Sequence, residues 1–156
     1  MLKVLRLFKN FDYKKKIFGG YYPINYEMNI LHFLKELEKK NVKISLPIIM
    51  KNNDMNFYKW SSTEILILNK FGIPEPQKIE KVVPDILFIP LVSFDKNLFR
   101  IGYGGGFYDR TIAYLEKRKK ITTIGIGFYD QKVDDLPRMK FDKKLDLVIT
   151  ENGVQN

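Results

Sequence analysis

Between Arg100 and Asp109 the chain reads RIGYGGGFYD. A basic fork, a cluster of glycines and an acid follow one another over ten positions. Clustered glycine weakens a fold unless the backbone must take a conformation or an approach that a Cβ forbids. Glycines just ahead of a helix let main-chain N–H groups wrap an anion at contact distance. The Arg100 guanidinium adds donors suited to phosphate oxygens. Asp109, in the first turn of the following helix, could hold Mg²⁺ against the same phosphates.

Each residue also has a plainer reading. Three successive glycines make a tight turn, Arg100 a surface charge, and Asp109 a first-turn acid favoured by the helix dipole. The segment matches neither familiar phosphate loop. Phe107 stands where the dinucleotide fingerprint needs glycine, and no Gly-Lys-Ser/Thr occurs. Residue types alone therefore give an anion-binding loop suited to nucleotide phosphate, with or without a metal.

Other chemistries are excluded by composition. Cysteine is absent and His32 is the single histidine. That removes thiolate nucleophiles, disulfides, cysteine zinc sites and two-histidine zinc motifs. No G-x-S-x-G accompanies His32, which is expected to be an ordinary helix side chain. The net charge of +9 suggests an anionic partner. The lysines are dispersed, however, and no zinc finger, RRM signature or recognition helix is visible, so no nucleic-acid partner is expected.

The elements that must position the loop follow from apolar patterning. The 156 residues suggest one domain over 1–156, with 45% hydrophobic residues enough for a globular core. No apolar run reaches the length of a membrane span, and the basic start lacks the features of a secretory signal. A cytoplasmic monomer is expected. KIFGGYYP reads as a first strand stopping at Pro23. NYEMNILHFLKELEKKN reads as a helix with Asn25 as N-cap and Met28, Leu31, Leu34 and Leu37 at three-residue spacing. VKISLP reads as a strand ending at Pro47. MNFYKW and EILILN are short runs of strand or mixed type, and GIPEP is too proline-rich for regular structure. DILFIPLVSFD reads as one buried central strand, FYDRTIAYLEKRKK as an amphipathic helix, and ITTIGIGF and LDLVIT as closing strands. Strands alternating with helices predict a three-layer α/β domain with a largely parallel, Rossmann-like sheet flanked by helices. The glycine loop then falls at the carboxyl side of the sheet, where such sheets bind ligands.

SFDKNLFRIGYGGGFYDR closely resembles the signature of the 5-formyltetrahydrofolate cyclo-ligase (methenyltetrahydrofolate synthetase) family. Supporting pieces occur in the family's order: YYPINYEMN, GIPEP, PDILFIPLVSFD, IGIGFYDQKVDDLP and FDKKLDLVITENG. The resemblance implies an ATP-dependent closure of 5-formyltetrahydrofolate to 5,10-methenyltetrahydrofolate, with ADP and phosphate released. It implies that Arg100, Ile101, Gly102, Tyr103, Gly104, Gly105, Gly106, Phe107 and Tyr108 surround the ATP phosphates, with Arg100 and Tyr108 catalytic. It also implies that Tyr103 to Phe107 meet the folate, that Tyr22 and Glu27 bind it, and that Asp109 and Asp142 hold Mg²⁺. Taken without the family, Glu27 is an ordinary first-turn acid and Asp142 a turn residue. Family members begin with a further helix carrying a Lys-x-x-x-Arg motif. Glu27 stands too early in this chain for that helix, and Lys3 and Arg6 are not spaced to match. The alternative is a shortened, inactive folate- or nucleotide-binding homologue.

Overall fold

A computed structural model describes residues 12–155. Its central sheet has eight strands. Five of them run parallel, in the spatial order β12 (Leu147–Thr150), β10 (Thr122–Ile126), β7 (Ile86–Pro90), β1 (Ile17–Gly19) and β2 (Lys43–Ile49). Antiparallel strands extend both edges: β3 (Met55–Trp60) and β6 (Lys81–Val82) beyond β2, and β13 (Gly153–Gln155) beyond β12. The chain winds from β1 outward to β2, and from β7 outward through β10 to β12. The order therefore reverses between β1 and β7, and the crevice at their carboxyl ends is where such a sheet takes a ligand.

Residues alternate strictly across β7. Ile86 and Phe88 face a core shared with Phe33, Leu34 and Leu37 of helix α1 (Leu31–Lys39). Leu87 and Ile89 face the other core, with Ile112 and Leu115 of helix α2 (Phe107–Glu116). One helix thus covers each face, giving the three layers expected of the sequence, though with little helix. Gly20, just past β1, lets α1 sit this close, because a Cβ there would collide with Leu34.

Several boundaries differ from the sequence reading. The first strand ends at Gly19, before GYYP. The first helix begins at Leu31, not near Asn25. Asn25 has φ 50, a left-handed conformation asparagine tolerates, and so caps nothing. Residues 24–28 are tied into a turn instead, and the Asn29 side chain accepts the Leu31 N–H at the helix start. β2 runs through Pro47 to Ile49. Its pairing with β1 stops at Ser45, so Pro47 stands where only β3 is a partner. The DILFIPLVSFD run is two strands. After Pro90 the chain turns, and β8 (Ser93–Asp95) joins β9 (Arg100–Ile101) and β11 (Lys132–Val133) in a separate sheet. EILILN and GIPEP supply a short hairpin, β4 (Ile67–Leu68) against β5 (Pro74–Glu75). The second helix stops at Glu116, short of KRKK. Lys3 and Arg6 lie outside the described residues. Among those residues no helix is long and apolar enough to cross a membrane.

Candidate active site

A cleft of about 690 Å³ opens at the carboxyl ends of β1, β2 and β7, a size ordinary for a small-molecule site. Its walls contain every residue that the family resemblance places in the site: Tyr22, Glu27, Arg100 to Asp109, and Asp142. His32 stays exposed on α1, away from the cleft.

The glycine loop forms one wall. The β8–β9 hairpin before it is wound on Asp95, whose buried carboxylate accepts the N–H groups of Asn97 and Phe99 at 2.8 and 3.0 Å. The glycines then differ in what they do. Gly104 and Gly106 have φ 85 and 61, which only glycine adopts without cost. A Cβ on Gly105 would stand 2.5 Å from the Phe107 ring. Gly102 has neither constraint, since a Cβ there would meet no atom within 4 Å. The loop ends at Gly106, the N-cap of α2, which offers no side-chain acceptor. The first N–H groups of α2 have no partner within the helix and give this wall partial positive charge.

Arg100 lies under the loop with its side chain only 5% exposed. Its Nη1 donates to Asp109 Oδ1 and to the Lys143 carbonyl, both at 3.2 Å. Asp109 Oδ1 also accepts the Lys143 N–H at 3.0 Å. The ion pair therefore grips both main-chain polar groups of Lys143, next to Asp142. Asp142 closes a turn of its own, its Oδ2 accepting the Met139 N–H at 2.7 Å. The turn role read for this residue is thus real, and its carboxylate still borders the cleft.

Among the described residues no group of three His, Asp or Glu side chains converges to hold a metal. Two carboxylates on one wall still suit Mg²⁺, which is commonly held by one or two carboxylates together with substrate phosphates and water. Among the described residues Asp109 accepts hydrogen bonds only on Oδ1, so Oδ2 is left without a partner.

Glu27 also lines the cleft. It is not a first-turn acid, because it precedes α1 by four positions. Its Oε2 accepts the Ile24 N–H at 2.9 Å, and its own N–H returns to the Ile24 carbonyl at 3.0 Å. Burial raises the carboxyl to about 7, only partly offset by that Ile24 bond. Tyr21 and Tyr108 both sense this charge. Burial first and Glu27 second push each phenol far above its ordinary value. Tyr108, read from the sequence with the phosphate loop, is thus also a neighbour of Glu27.

Sequence reasoning missed Tyr21, Lys143 and the apolar wall made by Met55, Phe71 and Ile73. Lys143 acts through its main chain, which no residue type reveals. Phe71 was visible only as part of a segment ahead of GIPEP.

The family model for the 5-formyltetrahydrofolate cyclo-ligase family matches residues 3–151. A Haemophilus influenzae protein named 5-formyltetrahydrofolate cyclo-ligase is 33% identical over 132 residues, covering 80% of this chain and 70% of the relative. A Mycoplasma pneumoniae protein of the same name is 32% identical over 137 residues, covering 87% of this chain and 73% of the relative. The solved structure of Aquifex aeolicus 5,10-methenyltetrahydrofolate synthetase superposes with a TM-score of 0.78 at 31% identity, covering 99% of this chain and 79% of that one. Matches of this extent, on a chain whose glycine loop, Glu27 and Asp142 share one cleft, show that it belongs to the 5-formyltetrahydrofolate cyclo-ligase family.

Proposed function

We propose that this chain is an ATP-dependent ligase that converts 5-formyltetrahydrofolate to 5,10-methenyltetrahydrofolate. The observation that carries the reading is a single cleft whose lining combines two unlike groups: the Glu27 carboxylate, and a glycine loop leading into a helix N-terminus with Arg100 beside it. A pterin ring presents an amino group and a ring N–H side by side, which a carboxylate accepts. Glu27 Oε2 already takes the Ile24 N–H, so Oε1 is the freer acceptor. Phosphate suits the glycine loop and the helix N-terminus.

The chemistry needs both groups. A formamide oxygen is a poor leaving group. Transfer of the γ-phosphoryl to that oxygen forms an imidate phosphate and releases ADP. The folate 10-nitrogen then attacks the formyl carbon, the C–O bond breaks, phosphate departs with the former formyl oxygen, and the 10-nitrogen loses its proton. The chain's residues position and neutralise. Loop N–H groups and Arg100 face developing phosphate charge, Tyr22 and Tyr103 to Phe107 border the folate, and the Tyr108 phenol stays protonated as a donor. Mg²⁺, held by Asp109 and Asp142, would supply further neutralisation of the phosphates. A monomer in the cytoplasm is the proposed working form.

Incubation with 5-formyltetrahydrofolate, ATP and Mg²⁺ tests this. The methenyl product absorbs in the near ultraviolet and should appear only with ATP present. A homologue that binds both ligands without turnover would form none.

A further inference from the structure

We infer that Tyr21 is a positioning residue whose hydroxyl clasps the 22–28 loop shut and so holds the Glu27 carboxylate at the cleft. The inference rests on the folate reading of Glu27 for its functional consequence, and on geometry for the clasp itself. Tyr21 follows β1 directly, and its ring lies in the α1-side core, 2% exposed. Its Oη donates to the Met28 carbonyl at 2.6 Å. That bond joins the two ends of the loop that carries Glu27. Inside the loop, Ile24 and Glu27 exchange two further hydrogen bonds, at 2.9 and 3.0 Å. Asn25 sits between them at φ 50, the left-handed region that asparagine tolerates in turns. The helix after the loop does not begin until Leu31, so α1 does not fix Glu27. The buried ring is the anchor, and the hydroxyl transmits its position to the loop. Removing the hydroxyl leaves the anchor in the core and frees the loop's far end.

Tyr21→Phe in the full chain tests this, because the ring and its packing are kept. Backbone amide exchange is read at Ile24 and Glu27, and dissociation constants are measured for 5-formyltetrahydrofolate and for ATP with Mg²⁺. The clasp predicts exchange at both amides faster by about tenfold, folate binding weaker by about fivefold, and ATP binding unchanged. Unchanged exchange at Ile24 and Glu27 would overturn it. So would folate and ATP affinities falling together with the melting temperature, which would make Tyr21 a core residue only. If the parent binds no folate, the functional reading fails, while the exchange comparison still decides whether Tyr21 holds Glu27.

Discussion

Arg100 and Asp109 meet at 3.2 Å and between them hold one residue's main chain, the guanidinium taking the Lys143 carbonyl and the carboxylate its N–H. The two motif residues proposed for phosphate and metal are thus also the clamp that sets the segment carrying Asp142. On the proposed reading, ligand binding and the placement of that segment would share the same two side chains.

The clamp separates two substitutions at Asp109. Asp109→Asn keeps an acceptor for the Lys143 N–H and loses the charge. It should raise the Mg²⁺ concentration for half-maximal turnover about tenfold and, by taking the counter-charge from the nearly buried Arg100, lower the melting temperature. Asp109→Ala removes the acceptor as well and should cost more, about 2–4 kcal/mol of stability. Magnesium titrations and denaturant melts of both variants check this. Equal Mg²⁺ dependence in the parent and Asp109→Asn would remove Asp109 from the metal site.

Gly102 gives the cleanest test of the phosphate wall. Gly102→Ala adds a Cβ where no protein atom lies within 4 Å. Stability should hold within about 0.5 kcal/mol while ATP affinity falls. Gly104→Val puts a branched residue at φ 85 and should lose stability as well, by about 1–3 kcal/mol. ATP titration beside thermal melting distinguishes the two, and unchanged ATP affinity in Gly102→Ala would place the phosphates elsewhere.

On the proposed pterin-binding role of Glu27, folate affinity and stability should depend on pH in opposite directions. Its folded value of about 7 lies above the ordinary 4.5. Its contribution to stability is therefore full below about pH 4.5 and is lost as pH rises through about 7. Folate requires the carboxylate, so affinity should rise about tenfold from about pH 6 to about pH 8. Glu27→Gln should flatten both curves, weaken folate at pH 8 about tenfold or more, and stabilise the free protein there. Calorimetric titrations and melts at the two pH values measure this. A parent with pH-independent folate affinity would take Glu27 out of pterin recognition.

The local motif made the site legible. Glycine spacing, Arg100 and Asp109 announce a phosphate wall through their own chemistry, and the strand–helix alternation announced the layered sheet. Glu27 and Asp142 were reachable only through family resemblance, because an acid before a helix and an aspartate in a turn have commonplace reasons to exist. The helix start was misplaced because Met28 keeps the apolar spacing of α1 while Tyr21 and Ile24 hold its neighbours in a turn. Such side-chain bonds to the main chain leave no mark on apolar spacing. The split at Pro90 was hidden for a similar reason: both halves of the run are apolar, since one is central in the main sheet and the other is buried under Leu98 and the α2-side core.

Oxygen transfer tests the central claim most directly. In a single turnover with the formyl oxygen of 5-formyltetrahydrofolate labelled with oxygen-18, ATP and Mg²⁺ should give methenyl product and an equal amount of inorganic phosphate carrying the label. Methenyl product with the label left in water, or phosphate release with no methenyl product, would contradict the proposed phosphorylation of the formyl group in this cleft.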